Sequence, residues 1–280
     1  MGKKLTMEQH RKILLDELIF ITDLCDKNGI KYFLYRGTLL GAVKYRGFIP
    51  WDDDVDIALL RNDYEKLLSI LEKNENENYK VLHMNNTKDY YYSFAKLVCK
   101  KTKLIENAKE IKELGVYIDI FPLDGIADNY NVEMRKIRFL KNLVARRMRI
   151  KNQLPKTMVK ERKTQKNRYK YFKNFMYAFI DYITLPLGYN FFVKKLDKKL
   201  KLYNKREHKY VSRYSNFDGV FDKKLFDEID TYTFENKEFK SVKNYDLYLK
   251  QLYGDYTKEL PKEEQRSHHQ IKVLWRDSNE

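Results

Sequence analysis

The sequence predicts a mixed α/β fold, of the α+β kind, carrying a basic and mainly helical subdomain. Three observations lead there. Residues 30–73 alternate strand-like and helix-like runs at short spacing, and later runs such as "YYYSFAKLVCKKTKLIE" and "GVYIDIFPLDGI" have the aromatic and β-branched content of further strands. The positive charge, finally, is confined to one segment: the formal net charge is +16 over 280 residues, yet Lys and Arg exceed Asp and Glu by 19 within residues 131–210 alone. The rest of the chain is therefore slightly acidic. A chain of this length can bury a large core as one domain or two modest ones.

Taken in order, residues 5–28 place Ile13, Leu14, Leu18, Ile21 and Leu24 at helical spacing, with Gly29 as the C-cap. "IKYFLYRG" reads as a strand broken at Gly37, after which Thr38 can cap a helix starting "LLGAVKYRG". After Pro50, "DDVDIALL" alternates as a strand, and "NDYEKLLSILEKN" returns to helix with Asn62 or Asp63 as its cap. "VLHM" and the tyrosine-rich run supply more strands, and "GVYIDIFPLDGI" is a strand stopped by Pro122. From Asn129, "VEMRKIRFLKNLVARRMRIKN" is a basic amphipathic helix, and charged helical periodicity continues to about Lys209. The expected division is a catalytic core at 1–128, a basic helical subdomain at 129–209, and a segment at 210–280 that packs back on the core.

Several classes are disfavoured. No run reaches the roughly 20 apolar residues of a membrane span, and the first residues lack the apolar core of a secretory signal, so a cytoplasmic protein is expected. Cys25 and Cys99 stand far apart without a CxxC spacing, which argues against a disulfide framework or a structural zinc site.

The chemistry concentrates in "GFIPWDDDVDIAL". In an extended strand, Asp52, Asp54 and Asp56 share one face and Asp53 turns to the other, placing Asp54 and Asp56 about 7 Å apart. Bare carboxylates so close raise each other's pKa, and a bound cation relieves the conflict. Their hard oxygen ligands suit Mg²⁺ or Mn²⁺, with positions left for phosphate, which points to phosphoryl or nucleotidyl transfer. Asp119, an acid inside the apolar strand "VYIDIF", is the natural third ligand. A solvated acidic turn is the plainer alternative, but the apolar residues Trp51, Val55, Ile57 and Leu59 argue for a half-buried segment. Gly37 lies seventeen residues before Asp54, and the helix start beside it offers free N–H groups to an anion.

"YRGTLLGAVKYRGFIPWDDDVDIAL" followed by "DYEKL" closely resembles the signature of the LicD family, which includes bacterial phosphocholine transferases and the fukutin-related proteins. "YIDIFPLDGI" is similar to that family's second block, and "LYGDY" with the later "LP" and "HH" to its C-terminal block. The resemblance implies a nucleotidyltransferase-like mixed sheet with flanking helices, Gly37 and Thr38 in the turn, Asp54 and Asp56 as the metal pair, and Asp119 as the third acid. It further implies transfer of phosphocholine, phosphoribitol or a similar phospho-alcohol from a CDP-alcohol, CDP-choline first among them, to a hydroxyl of a glycan or lipid-linked glycan. Asp119 or Asp52 would accept the hydroxyl proton.

Arg36, Lys44 and Arg46 flank the turn and are candidates for holding the diphosphate, or else surface charges. Lys96 is either a phosphate ligand or an edge-strand lysine reaching for solvent, and His268 and His269 either orient substrate or only pack. The basic segment, with an apolar strip at Phe175, Phe179, Ile183 and Leu187, could serve the inner membrane surface or form an ordinary helical core. Nucleic acid is disfavoured, since no recognition motif accompanies the charge. Two rivals stand beside the transferase: a nucleotidyltransferase moving NMP from an NTP, and a non-catalytic membrane-surface or nucleic-acid binding protein.

Overall fold

The computed structural model describes residues 3–74, 76–88, 90–105, 111–126, 130–150, 189–213, 219–266 and 272–276, with scattered positions between 176 and 187. Helix α1 (Met7–Lys27) starts at a capping box in which Thr6 and Gln9 satisfy each other's backbone N–H groups. Its C-cap is Asn28, and Gly29 follows at φ 61°, the left-handed position that glycine takes without strain. Strand β1 (Phe33–Leu34) is short, and α2 (Arg36–Tyr45) follows directly. Strand β2 (Asp56–Leu60) runs straight into α3 (Arg61–Lys73), so neither Asn62 nor Asp63 is its cap. The cause is Arg61, whose buried ion pairs, described below, pull the first turn against the sheet.

Strands β3 (Tyr79–Leu82), β4 (Ala95–Cys99) and β6 (Tyr117–Gly125) join β1 and β2 in the order β1-β2-β6-β4-β3. Only β2 and β6 pair in parallel within that series. Strand β6 continues through Pro122 rather than stopping there. Asp119 donates its N–H to Val55 on the β2 side, so by alternation residue 122 faces the β4 side. Pairing with β4 has already ended opposite Ile120, and the missing N–H of proline leaves no partner unmet. Ile57, Leu97, Ile118 and Ile120, turned to the face opposite the acids, are at most 1% exposed and belong to the main core.

The strand β5 (Thr102–Ile105) pairs with β11 (Lys272–Trp275). Helices α4 (Tyr130–Ile150) and α5 (Tyr189–Tyr203) enclose a small second core of Met134, Ile137, Leu196 and Leu200 with Ile126 at the end of β6. Of the apolar strip expected as core in this region, Phe179, Ile183 and Leu187 are 47%, 58% and 37% exposed. Phe175 lies outside the described residues. Strands β7 (Tyr210–Ser212) and β8 (Phe221–Asp222) extend the sheet from β6. The hairpin β9 (Ile229–Phe234) and β10 (Lys237–Val242) turns at Glu235 and Asn236, both at positive φ as a type I′ turn requires. Its tip docks on the loop after α2, Glu235 accepting from the Phe48 N–H, and α6 (Tyr245–Tyr253) packs on α2.

One glycine sets the path of that loop. A Cβ on Gly41 would stand 2.4 Å from the Gly47 carbonyl oxygen, a backbone atom that cannot swing aside. Gly41→Ala should therefore overpack the α2–loop contact at a cost of about 1–3 kcal/mol, read as a fall in melting temperature. An unchanged melting temperature would show that the loop can shift freely.

Candidate active site

The acids Asp52 to Asp56 do not lie along a regular strand, because β2 begins only at Asp56 and the preceding residues form a loop. The expected sorting of faces still holds. Asp52, Asp54 and Asp56 line one cavity of about 620 Å³, while Asp53 is 8% exposed and absent from its wall. The loop is shaped from outside by α1. Arg11 donates to the carbonyls of Ile49, Pro50 and Asp52 at 3.0, 2.8 and 2.8 Å, and His10 donates through Nε2 to the Asp53 carbonyl at 2.8 Å. Four carbonyls with no ladder partners are thereby satisfied.

The backbone at Asp56 is pinned more tightly still. Its N–H donates to Thr38 Oγ1 at 2.8 Å and its carbonyl accepts from the Tyr35 N–H at 3.0 Å. Thr38 is thus not the cap of α2, whose N-cap is Tyr35, but the residue that ties the first turn of α2 to the start of β2. A Cβ on Gly37 would approach Asp52 Oδ2 to 2.9 Å, so glycine is what lets that turn close on the acids.

Register then assembles the site across the sheet. Asp56 stands opposite Asp119 in the parallel β2–β6 pair, and Lys96 stands opposite Asp119 in the antiparallel β4–β6 pair. The three side chains form one row across adjacent strands, spaced by about 4.8 Å. Lys96 is 1% exposed and donates to Asp119 Oδ1 at 2.5 Å. Its ammonium also lies 3.5, 4.4 and 5.2 Å from the ring centres of Tyr117, Tyr92 and Phe94. It is not an edge lysine reaching for solvent. Rings and carboxylate together replace the water it has lost.

Electrostatics follow from this crowding. Burial first, then the carboxylates of Asp54 and Asp119, push Asp56 well above the usual carboxylate range. Burial also raises Asp119, with the Lys96 ammonium pulling it back. Asp52 is raised by burial and by Asp54, to which its carboxyl is hydrogen-bonded. Among the described residues, no three acids, histidines or cysteines are gathered into a ready metal cage. The acids instead share a cavity with cations.

The other sequence candidates separate. Arg36 lines the cavity, bonds the Tyr253 hydroxyl, and begins α2 at φ 50°, a conformation that costs a non-glycine residue about 1 kcal/mol or more and recurs at functional sites. Lys44 reaches the wall but donates to the carbonyls of Tyr256, Thr257 and Lys258 at 3.2, 3.2 and 3.3 Å, which occupies all three of its protons. It clamps a loop rather than offering itself to a diphosphate. Arg46 is exposed, caps the end of α2 at φ 54°, and is absent from the wall. His268 and His269 lie outside the described residues.

Sequence reasoning missed Arg213, which is 4% exposed, lines the cavity, and sits 3.5 Å from the centre of the Phe121 ring. Its positive charge bears on both Asp56 and Asp119. Nothing in "VSRYS" marks it, since only the pairing of β7 with β6 brings it there. Tyr253 and Asp255 also line the cavity, and their signal was the "LYGDY" block.

Acids and cations ringing one cavity over a mixed sheet define the class: a phosphotransferase, built to neutralise and orient phosphoryl groups. Residues 29–161 match the family described as LicD/FKTN/FKRP, nucleotidyltransferase domain. The matched residues hold Gly37, Thr38, Asp52 to Asp56, Lys96 and Asp119, so the chain carries a LicD family domain. Among curated proteins it is similar to the lipopolysaccharide cholinephosphotransferase LicD of Haemophilus influenzae, 27% identical over 283 residues that cover 95% of this chain and 97% of that one. An uncharacterized Rickettsia prowazekii protein is 39% identical over 130 residues, 46% of each chain. One from Rickettsia typhi is 29% identical over 138 residues, 49% of this chain and 43% of that one. The chain thus spans less than half the length of the two rickettsial relatives.

Proposed function

We propose that the protein transfers phosphocholine, or a related phospho-alcohol such as phosphoribitol or phosphoglycerol, from a CDP-activated donor to a hydroxyl of a cell-surface glycan. Lipopolysaccharide is the first acceptor to test, given the Haemophilus relative. The observation that carries this reading is the row Asp56, Asp119, Lys96 facing a cavity that also holds Asp52, Asp54, Arg36 and Arg213. In the reaction, the acceptor oxygen attacks the β-phosphorus, the bond from that phosphorus to the bridging oxygen breaks, and CMP leaves with the electron pair. Arg36 and Arg213 are assigned to the diphosphate oxygens. Asp52 is assigned the hydroxyl proton, because Asp119 is already bonded to Lys96.

The donor set fits Mg²⁺ or Mn²⁺. Asp54 and Asp56 are hard oxygen ligands, a cation would relieve the repulsion that raises Asp56, and Asp119 would join them through the oxygen that Lys96 does not take. Bound there, the ion would supply positive charge to the phosphate oxygens. Incubation with Mg²⁺ and a panel of CDP-alcohols and NTPs should release CMP from one CDP donor, and excess EDTA should stop the release. Pyrophosphate from an NTP would instead establish the nucleotidyltransferase rival, and turnover unaffected by EDTA would remove the metal from the site.

The reading extends to contact with a membrane surface. No helix among the described residues is long and apolar enough to cross a bilayer. Ile180 packs on the core while Met176, Phe179, Tyr182 and Ile183 are 41–61% exposed, within the basic stretch of the chain.

A further inference from the structure

We infer that the aromatic end of the same cavity receives the alcohol part of the donor, and that Trp51 selects a quaternary ammonium there. This rests on the donor reading above and adds the chemical group recognised and the residue that recognises it.

The cavity has two chemically different ends, laid out along α2. At the start of the helix, Arg36 and Gly37 stand beside Asp52 and Asp56. Roughly 12 Å further along the axis, the Tyr45 ring packs edge-on against Trp51, with centroids 6.4 Å apart at 76°. Lys44 ties the loop at Tyr256 to Lys258 to this end of the helix, and Tyr256 and Leu260 join Leu40 and Ile49 in the wall. One end is built for phosphates. The other presents the Tyr45 and Trp51 rings with apolar side chains, and beside them Lys44 and the exposed ion pair of Lys258 with Asp255.

The rings at the phosphate end already carry resident cations: Tyr92, Phe94 and Tyr117 surround Lys96, and Phe121 lies under Arg213. Among the described residues, no Lys or Arg lies over Trp51. Lys44 is 5.7 Å from the Tyr45 ring centre, close to the ~6 Å limit of such contacts, and its protons are directed at three carbonyls. Indole is the strongest aromatic partner for a cation, and Trp51 is only partly buried. A trimethylammonium group has no N–H to donate. Hydrogen-bond acceptors cannot choose it, whereas a ring face within an apolar wall can.

The test uses the full-length protein in two arms. In the first, calorimetric titration with phosphocholine and with glycerol phosphate compares wild type, Trp51→Phe and Trp51→Leu. The wild type should prefer phosphocholine, Trp51→Phe should keep most of that preference, and Trp51→Leu should lose it by about tenfold or more. In the second arm, the ratio of kcat/KM for CDP-choline over CDP-glycerol should fall by a similar factor in Trp51→Leu. Wild-type binding without preference, or an equal loss for both compounds, would overturn the subsite. If the wild type prefers phosphocholine through Trp51 but releases CMP from no CDP-alcohol, the donor reading fails and the subsite stands. Thermal unfolding of each variant separates loss of recognition from loss of fold.

Discussion

Asp56→Asn should lower CMP release on the order of 10³-fold or more, while the protein stays folded and melts at or above the wild-type temperature. The first half follows from position. Asp56 is held by Thr38 and Tyr35 at the head of β2 and stands in register beside Asp119, so an amide in its place removes charge at the centre of the site. Losses of 10²–10³-fold are usual when one well-placed electrostatic group is removed, and loss of the metal-ligand role proposed for Asp56 should cost at least as much. The second half follows from repulsion: burial and the neighbouring carboxylates already disfavour the Asp56 charge, and asparagine relieves them. Asp54→Asn should behave alike. Asp53→Asn, one residue away but off the cavity wall, should stay within a few-fold of wild type. Near-wild-type turnover by Asp56→Asn, or equal losses in all three, would show that the acids do not act as assigned.

The largest expected loss of stability is Arg61→Met. Arg61 is 3% exposed and makes a two-pronged pair with Asp124 at 2.7 and 2.6 Å, plus bonds to Asp197 at 2.9 Å and Glu65 at 3.1 Å. Burial alone would lower its pKa, but Asp124 and Asp197 raise it instead and keep it charged. Lys201 bonds Asp197 and Glu65, and Asn204 bonds Asp124, so the network fastens α5 to α3 and β6. Removing the guanidinium leaves Asp124 and Asp197 buried with their main counter-charge gone, at a cost of about 3–5 kcal/mol. For a chain of this length that is a fall in melting temperature of roughly 10 °C. Restoring much of it by adding Asp124→Leu and Asp197→Leu would confirm that stranded charge is the cause. A shift below about 2 °C in the single variant would contradict the network's role.

Much of the site was legible in the sequence for local reasons. Four acids between apolar residues cannot be an ordinary solvated turn, and the spacing of Gly37 before them places a helix start beside them. The strand expected there proved to be a loop, because Arg11 and His10 hold its carbonyls and no neighbouring strand does. Residues forty positions apart supply those bonds, and periodicity within the loop carries no trace of them.

Lys96 shows the same boundary from the other side. Its place in an apolar run marked it as unusual, but its role depends on standing opposite Asp119 and on the rings of Tyr92, Phe94 and Tyr117. Lys44 and Arg36, near neighbours on one helix, diverge because one meets the carbonyls of a distant loop and the other faces the acids. Composition, charge placement and the acid motif are properties of adjacent residues, and they sufficed for the mixed fold, for the phosphotransferase class once the family resemblance was added, and for setting Asp54 and Asp56 apart from Asp53, which is off the cavity wall. Strand register, the capture of Arg213 by β7, and the sorting of cations into ligands and clamps are properties of pairings far apart in the chain. Those pairings are settled by which backbone ladders and buried charges satisfy one another when the whole core closes.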